Sequence, residues 1–120
     1  MNEDGIKFLC DEIVKTAAND LIRSYKCIME MRPYQKQLEL EIDKLKRSIE
    51  RHKKHGLLYK KESKLLKEAV WKLNKYERAE KIIKETELFF HSRLYYLIMN
   101  YPGKDMIRRC KDAAGFKDSY

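Results

Sequence analysis

Apolar residues recur at steps of three and four along most of the chain, which is the spacing of amphipathic α-helices. The pattern predicts a first helix over residues 4–31, a basic helical hairpin over 33–54 and 58–91, and short helices over 92–99 and 104–113. Charged residues occupy 38% of the 120 positions, with only four glycines and two prolines, a composition that favours long helices over strands. The predicted fold is therefore all-α, a long antiparallel helical hairpin packed with an N-terminal helix and short C-terminal helices in one domain.

Prolines and glycines mark the expected ends of these helices. Pro33 lacks an amide hydrogen, so it should end the first helix and begin the second. Gly56 follows a run of cations and is expected to be the left-handed residue after the second helix. In the segment Asn100-Tyr101-Pro102-Gly103, proline fixes one torsion and Gly103 is expected to accept a positive φ, which predicts a turn. Gly115 should end the last helix.

The second predicted helix carries a narrow apolar seam. Leu38, Ile42, Leu45 and Ile49 alternate at steps of four and three, as in a coiled-coil-like pairing. Such a seam can pack inside the hairpin or against a second copy of the chain. A homodimer is therefore one possible assembly.

The excess positive charge lies in one segment. Residues 44–67 hold ten Lys or Arg against Glu50 and Glu62, whereas the rest of the chain has seventeen cations and seventeen anions, so this segment accounts for the net charge of +8. Concentrated positive potential attracts nucleic acid or an acidic protein surface. The alternative is that these side chains only solvate an exposed hairpin. The predicted partner-binding residues, expected to converge on the tip of the hairpin, are Lys44, Arg47, Arg51, Lys53, Lys54, Lys60, Lys61, Lys64 and Lys67.

Aromatic residues cluster towards the C-terminus. Phe89, Phe90 and the tyrosines that follow are too apolar as a group for one exposed face, so most of them are expected in the core. Tyrosines that reach the surface would suit a secondary interface. The candidates for that interface are Tyr59, Tyr95, Tyr96 and Tyr101.

No residue pattern indicates catalysis. The three histidines lack a nucleophile or carboxylate at a suitable spacing, and the pair His52 and His55 lacks a third metal ligand. Cys10, Cys27 and Cys110 are widely spaced and odd in number, which favours small buried residues over disulfides or thiolate ligands. The chain is therefore predicted to be no enzyme and to have neither cofactor nor metal.

Three segments resemble a set of small prophage accessory proteins of Gram-positive bacteria. Those proteins pair an Ile-Val-x-x-Ala-x-x-Asp-Tyr helix with a Glu-x-Phe-Phe-x-Ser segment and a glycine-containing turn. The matching segments here are residues 13–20, 87–92 and 102–107, with Leu21 in place of the tyrosine and an additional basic hairpin between the parts. Residues 106–115 are more weakly similar to the helix-turn-helix end of phage late-gene transcription activators, although five residues after Gly115 are too few for a recognition helix.

The resemblance implies an origin in a mobile element. Without catalytic residues, it favours a phage accessory protein that acts by binding, as an anti-CRISPR-like inhibitor of a host defence or nucleic-acid-processing protein. Its partner would be a host protein such as a CRISPR effector or another nuclease. The alternative is a nucleic-acid-binding protein without sequence preference, or a phage transcription regulator. No apolar run can span a bilayer, so the expected location is the cytoplasm of a bacterial host, with no membrane partner.

Overall fold

The computed structural model describes residues 3–99 and 101–117. Their regular elements are helices only, which confirms the all-α class, and no helix in these ranges is long and apolar enough to cross a membrane. The observed helix ends lie within two residues of the predicted ones. The helices are α1 Glu3–Met31, α2 Gln35–Lys54, α3 Lys60–Phe90, α4 Arg93–Ile98 and α5 Gly103–Ala114, with a 3-10 helix Arg32–Tyr34 between α1 and α2.

The contacts within the chain divide it into two compact units. Unit 1 comprises Met1–Met29 and Ala79–Tyr120, and unit 2 comprises Glu30–Arg78. Unit 1 therefore contains most of α1, the end of α3, α4 and α5. Unit 2 contains α2 and the first part of α3.

The core of unit 1 joins α1 to the aromatic segment. Buried residues of α1 recur at steps of seven and four, which places them on one helical face. Tyr25 on this face donates a hydrogen bond to the carboxylate of Glu87, and its ring lies 4.6 Å from that of Phe116. Ser92 caps α4 by accepting a hydrogen bond from the Tyr95 amide. The core residues are Val14, Leu21, Tyr25, Phe90, Tyr95, Ile107 and Cys110.

Gly103 is required by close packing, so the predicted positive φ at this position is wrong. It is the first residue of α5. Among the described residues, the glycines with positive φ are Gly56 at 68°, as predicted, and Gly115 at 70°, which ends α5 as expected. A β-carbon added at Gly103 would overlap the carbonyl group of Phe90, lying 2.7 Å from its carbon atom. The absence of a side chain therefore allows the two backbone segments to meet.

Unit 2 is a helical hairpin in which α2 and the first part of α3 are joined by residues 55–59. Ile42 and Ile49 of α2 and Ala69 and Tyr76 of α3 are buried, so the apolar seam of α2 is used within the chain. The prediction that the second helix begins at Pro33 is wrong. Pro33 lies in the 3-10 helix, and α2 begins at Gln35 with right-handed helical backbone angles.

Candidate functional site

The nine basic residues predicted to bind a partner are all exposed and all lie in unit 2. Ion pairs within residues 3–99 and 101–117 include those of Asp20 with Arg23, Lys81 with Glu85, and Asp105 with Arg108, at 3.6, 4.0 and 3.9 Å. None of these pairs involves the nine residues. Their charge is therefore available to a ligand, since no carboxylate of the described chain neutralises it at contact distance.

Four of the nine residues form a line along α2, which we term the α2 stripe. Steps of three, four and three residues separate them, so they lie on one face at 100° per residue. That face is opposite the one that buries Ile42 and Ile49. Glu41 and Glu50 lie beside the line on the same exposed surface. The α2 stripe consists of Lys44, Arg47, Arg51 and Lys54.

A longer line follows α3, which we term the α3 stripe. Its members are separated by steps of four, three, four, four and three residues, and they lie opposite buried Ala69 and Tyr76. Unlike the α2 stripe, it contains an aromatic residue, Trp71, which is 65% exposed. The α3 stripe consists of Lys60, Lys64, Lys67, Trp71, Lys75 and Arg78.

The two stripes do not form one continuous surface. Each helix turns its buried seam towards the other helix of unit 2, so the opposite faces point away from each other. This arrangement does not place all nine cations at one tip, as the sequence predicts. Lys53, Lys54, Lys60 and Lys61 are the members nearest the connecting turn along the chain.

The cations on the two sides of the turn differ in what they do for helix stability. Arg51, Lys53 and Lys54 lie in the last turn of α2, where positive charge complements the negative helix end. Lys60 and Lys61 lie in the first turn of α3, where the helix end is positive and cations are unfavourable. Helix stability therefore accounts for the first group and opposes the second.

The turn itself exposes apolar side chains. Leu57 is 56% exposed and Leu58 is 92% exposed. Tyr59, a candidate interface residue, is half-buried, and the ammonium group of Lys53 lies 5.2 Å from its ring centroid. This tyrosine therefore packs against a cation of its own hairpin.

The other three candidate tyrosines lie in unit 1 and differ in accessibility. Tyr96 is 79% exposed, and Tyr101 is half-buried with the guanidinium of Arg109 5.6 Å from its ring centroid. Tyr95 is only 2% exposed, so its prediction as an interface residue is wrong. Its hydroxyl group is buried without a hydrogen-bond partner. Burial, with smaller contributions from Tyr101 and Cys110, raises the pKa of that hydroxyl.

The three cysteines are shielded from solvent to different degrees. Cys110 is buried, its thiol donates to the Ala18 carbonyl at 3.8 Å, and burial raises its pKa. Cys10 and Cys27 are half-buried. Across the described ranges, no group of three His, Cys, Asp or Glu side chains is placed to hold a metal ion.

Three residues of the α3 stripe were missed by the sequence prediction. Trp71, Lys75 and Arg78 follow Lys67 in the same helical register. The prediction ended at Lys67 because the excess of cations over anions ends there. Continuing the steps of three and four from Lys60 along the third predicted helix would have found them.

No protein-family model, curated protein or solved structure matches this chain. The resemblance to prophage accessory proteins therefore stays a prediction. Function must be inferred from the exposed surfaces of the two units.

Proposed function

We propose that this protein is a non-enzymatic binding protein that binds the phosphate backbone of nucleic acid, without sequence preference, through unit 2. The observation that supports the proposal is the arrangement of exposed cations without acidic partners in two lines. At 1.5 Å per residue, the α2 stripe is about 15 Å long and the α3 stripe about 27 Å long. A bacterial cytoplasm remains the location that we propose for it.

The shape of the surface favours a polymer over a small anion. Each stripe lies on the outer face of a single helix, and one helix cannot enclose a small ligand. A linear array of cations complements a backbone that repeats its negative charge, and such contacts carry no sequence information. Lys60 and Lys61 support the same proposal because they remain at a helix end where they are electrostatically unfavourable.

Fluorescence anisotropy of labelled oligonucleotides over a range of salt concentrations tests this proposal. We compare the wild type with an α2-stripe variant, K44Q/R47Q/R51Q/K54Q, and an α3-stripe variant, K60Q/K64Q/K67Q/K75Q. The matched control is K7Q/K15Q/K26Q/K84Q, which removes four exposed cations from unit 1 and lowers the net charge equally. The affinity of the wild type should fall steeply with salt, because each neutralised phosphate releases counterions.

The expected result is a weaker affinity and a shallower salt dependence in at least one stripe variant than in the control. Removal of a cation that neutralises one phosphate of a single strand should change the slope of log K against log salt by about 0.7. Equal losses of affinity in the control and in both stripe variants would show that net charge alone attracts the nucleic acid. No measurable binding at low salt would contradict the proposal outright.

A second candidate function, inhibition of a host nuclease or defence protein such as a CRISPR effector, is favoured by an apolar surface in unit 1. Leu94 and Leu97, one helical turn apart on α4, are 58% and 72% exposed, beside Tyr96. Leu88 is 71% exposed near the end of α3. Exposed apolar groups of this kind suit a protein interface.

Affinity capture from host lysate at moderate salt, with wild type and L94S/L97S, tests this second function. A nuclease that binds the wild type, is inhibited by it in purified form and escapes the double variant would support inhibition. Capture of the same proteins by both forms, without any effect on their activity, would contradict it.

A further inference from the structure

Trp71 is exposed within the line of cations on α3. Its side chain is 65% exposed, although tryptophan is normally largely buried because it removes a large apolar area from water. It is the single tryptophan of the sequence and a member of the α3 stripe. The exposure therefore needs an explanation outside the core of unit 2.

The surroundings of Trp71 are cationic and polar. Lys67 and Lys75 lie one helical turn away on either side, and the ammonium group of Lys75 is 5.7 Å from the indole centroid. Glu68 and Asn74 are the other exposed neighbours on this face. An apolar patch for a membrane surface or a protein core would surround the tryptophan with further large apolar side chains, and this face has none among its described neighbours.

We propose that the α3 stripe binds single-stranded nucleic acid, with an unpaired base stacked on the indole of Trp71 and phosphates on either side contacted by Lys67 and Lys75. This inference rests on the proposed function and specifies its ligand. A flat aromatic face accepts any base, and cations along the same line attract the backbone that connects the bases. The lysine now over the ring can move to a phosphate when a base takes its place.

The two stripes provide an internal comparison between single strand and duplex. In a duplex the bases are paired and stacked with one another, so an indole on the protein surface meets only the backbone and groove edges. The α2 stripe, which has cations but no aromatic residue, should not distinguish the two forms by stacking. The α3 stripe should bind the single strand more tightly because of Trp71.

Tryptophan fluorescence tests the proposal directly, because Trp71 is the single tryptophan and is therefore the source of all the indole emission. Unlabelled oligothymidylate and a duplex of equal total phosphate number are titrated into the wild type, and labelled strands give affinities by anisotropy. Stacking should quench the emission with the single strand much more than with the duplex. W71A should weaken single-strand binding roughly ten- to hundredfold and duplex binding far less, and W71F should bind the single strand with an affinity between those of the wild type and W71A.

Circular dichroism checks that W71A and W71F fold. We expect both variants to fold because the Trp71 side chain is exposed. Salt-dependent binding with no quenching and no effect of W71A would overturn the stacking proposal while the proposed function stands. Absence of binding to either nucleic acid would overturn both. A blue shift of the emission with phosphatidylserine vesicles, without a response to oligothymidylate, would assign Trp71 to a membrane surface and overturn the single-strand proposal.

Discussion

Lys54 is the last residue of α2 and Lys60 is the first residue of α3, so two lysines on the two sides of one turn lie at helix ends of opposite dipole sign. The helix dipole stabilises Lys54 and destabilises Lys60. Any benefit that Lys60 brings must therefore come from something other than helix stability. Binding an anion is the benefit that we propose.

Charge reversal on the two sides of this turn should separate stability from binding. K60E/K61E places carboxylates at the positive end of α3 and should stabilise unit 2 by roughly 0.3–1 kcal/mol per residue, while it weakens nucleic-acid binding. K53E/K54E should weaken binding and also destabilise α2 by a similar amount. Thermal unfolding followed by circular dichroism, together with anisotropy, measures both effects. If K60E/K61E lowered both stability and binding, the dipole explanation would be wrong.

Gly103→Ala should be strongly destabilising. The new methyl group would overlap the Phe90 carbonyl, a backbone group that cannot turn away like a side chain, so we expect a loss of about 3 kcal/mol, the upper part of the range for overpacking. The control is Gly115→Ala, which has open space but a left-handed φ of 70° and should cost about 1 kcal/mol. Equal shifts of the thermal midpoint in the two variants would show that the packing of α5 on Phe90 relaxes without strain.

Two tyrosine-to-phenylalanine changes in unit 1 should have opposite effects on stability. Tyr95→Phe removes a buried hydroxyl without a partner and should stabilise the protein by about 1 kcal/mol. Tyr25→Phe removes a hydroxyl that donates to the Glu87 carboxylate and should destabilise it by about 1.5–3 kcal/mol. Urea unfolding monitored by circular dichroism compares the two. A loss of stability in Tyr95→Phe would mean that the hydroxyl finds a partner in solution.

Alkaline pH should destabilise unit 1 through Tyr95 and Cys110. Burial raises the pKa of both groups in the folded chain, so the unfolded chain loses these protons first. These groups should therefore not affect stability at neutral pH. Stability should fall as the pH rises past the ordinary pKa of a cysteine thiol, about 8.5, and then that of a tyrosine hydroxyl, about 10. The thermal midpoint across pH 7–11 measures this fall, which should be smaller in Tyr95→Phe than in the wild type. An identical fall in both proteins would exclude Tyr95 as a cause.

The local sequence patterns were sufficient to predict where the helices lie along the chain, but not how the helices pack against one another. The spacing of apolar residues and the left-handed glycines at 56 and 115 are properties of neighbouring residues, so the helix ends were predicted within two positions. The role of Gly103 depends on Phe90, thirteen residues earlier, and the burial of Tyr95 depends on α1 and α5. Such contacts between distant segments leave no periodic signal.

The candidate site shows the same limit. Counting charge along the chain found nine exposed cations, since charged side chains are seldom buried. The count could not show that they divide between two faces of the hairpin, because that depends on which side of each helix faces the other. Trp71 was missed for a different reason, since it lies outside both the basic segment and the C-terminal aromatic cluster.

The turn between α2 and α3 is a place where the chain can be lengthened. Residues 55–59 lie outside both helices, Gly56 has a left-handed backbone, and Leu58 is almost fully exposed. A fluorescent reporter inserted after Leu58 would interrupt no helical hydrogen bond. The insertion would keep Trp71 and both stripes intact, so the hairpin can carry an optical label close to the proposed binding surface.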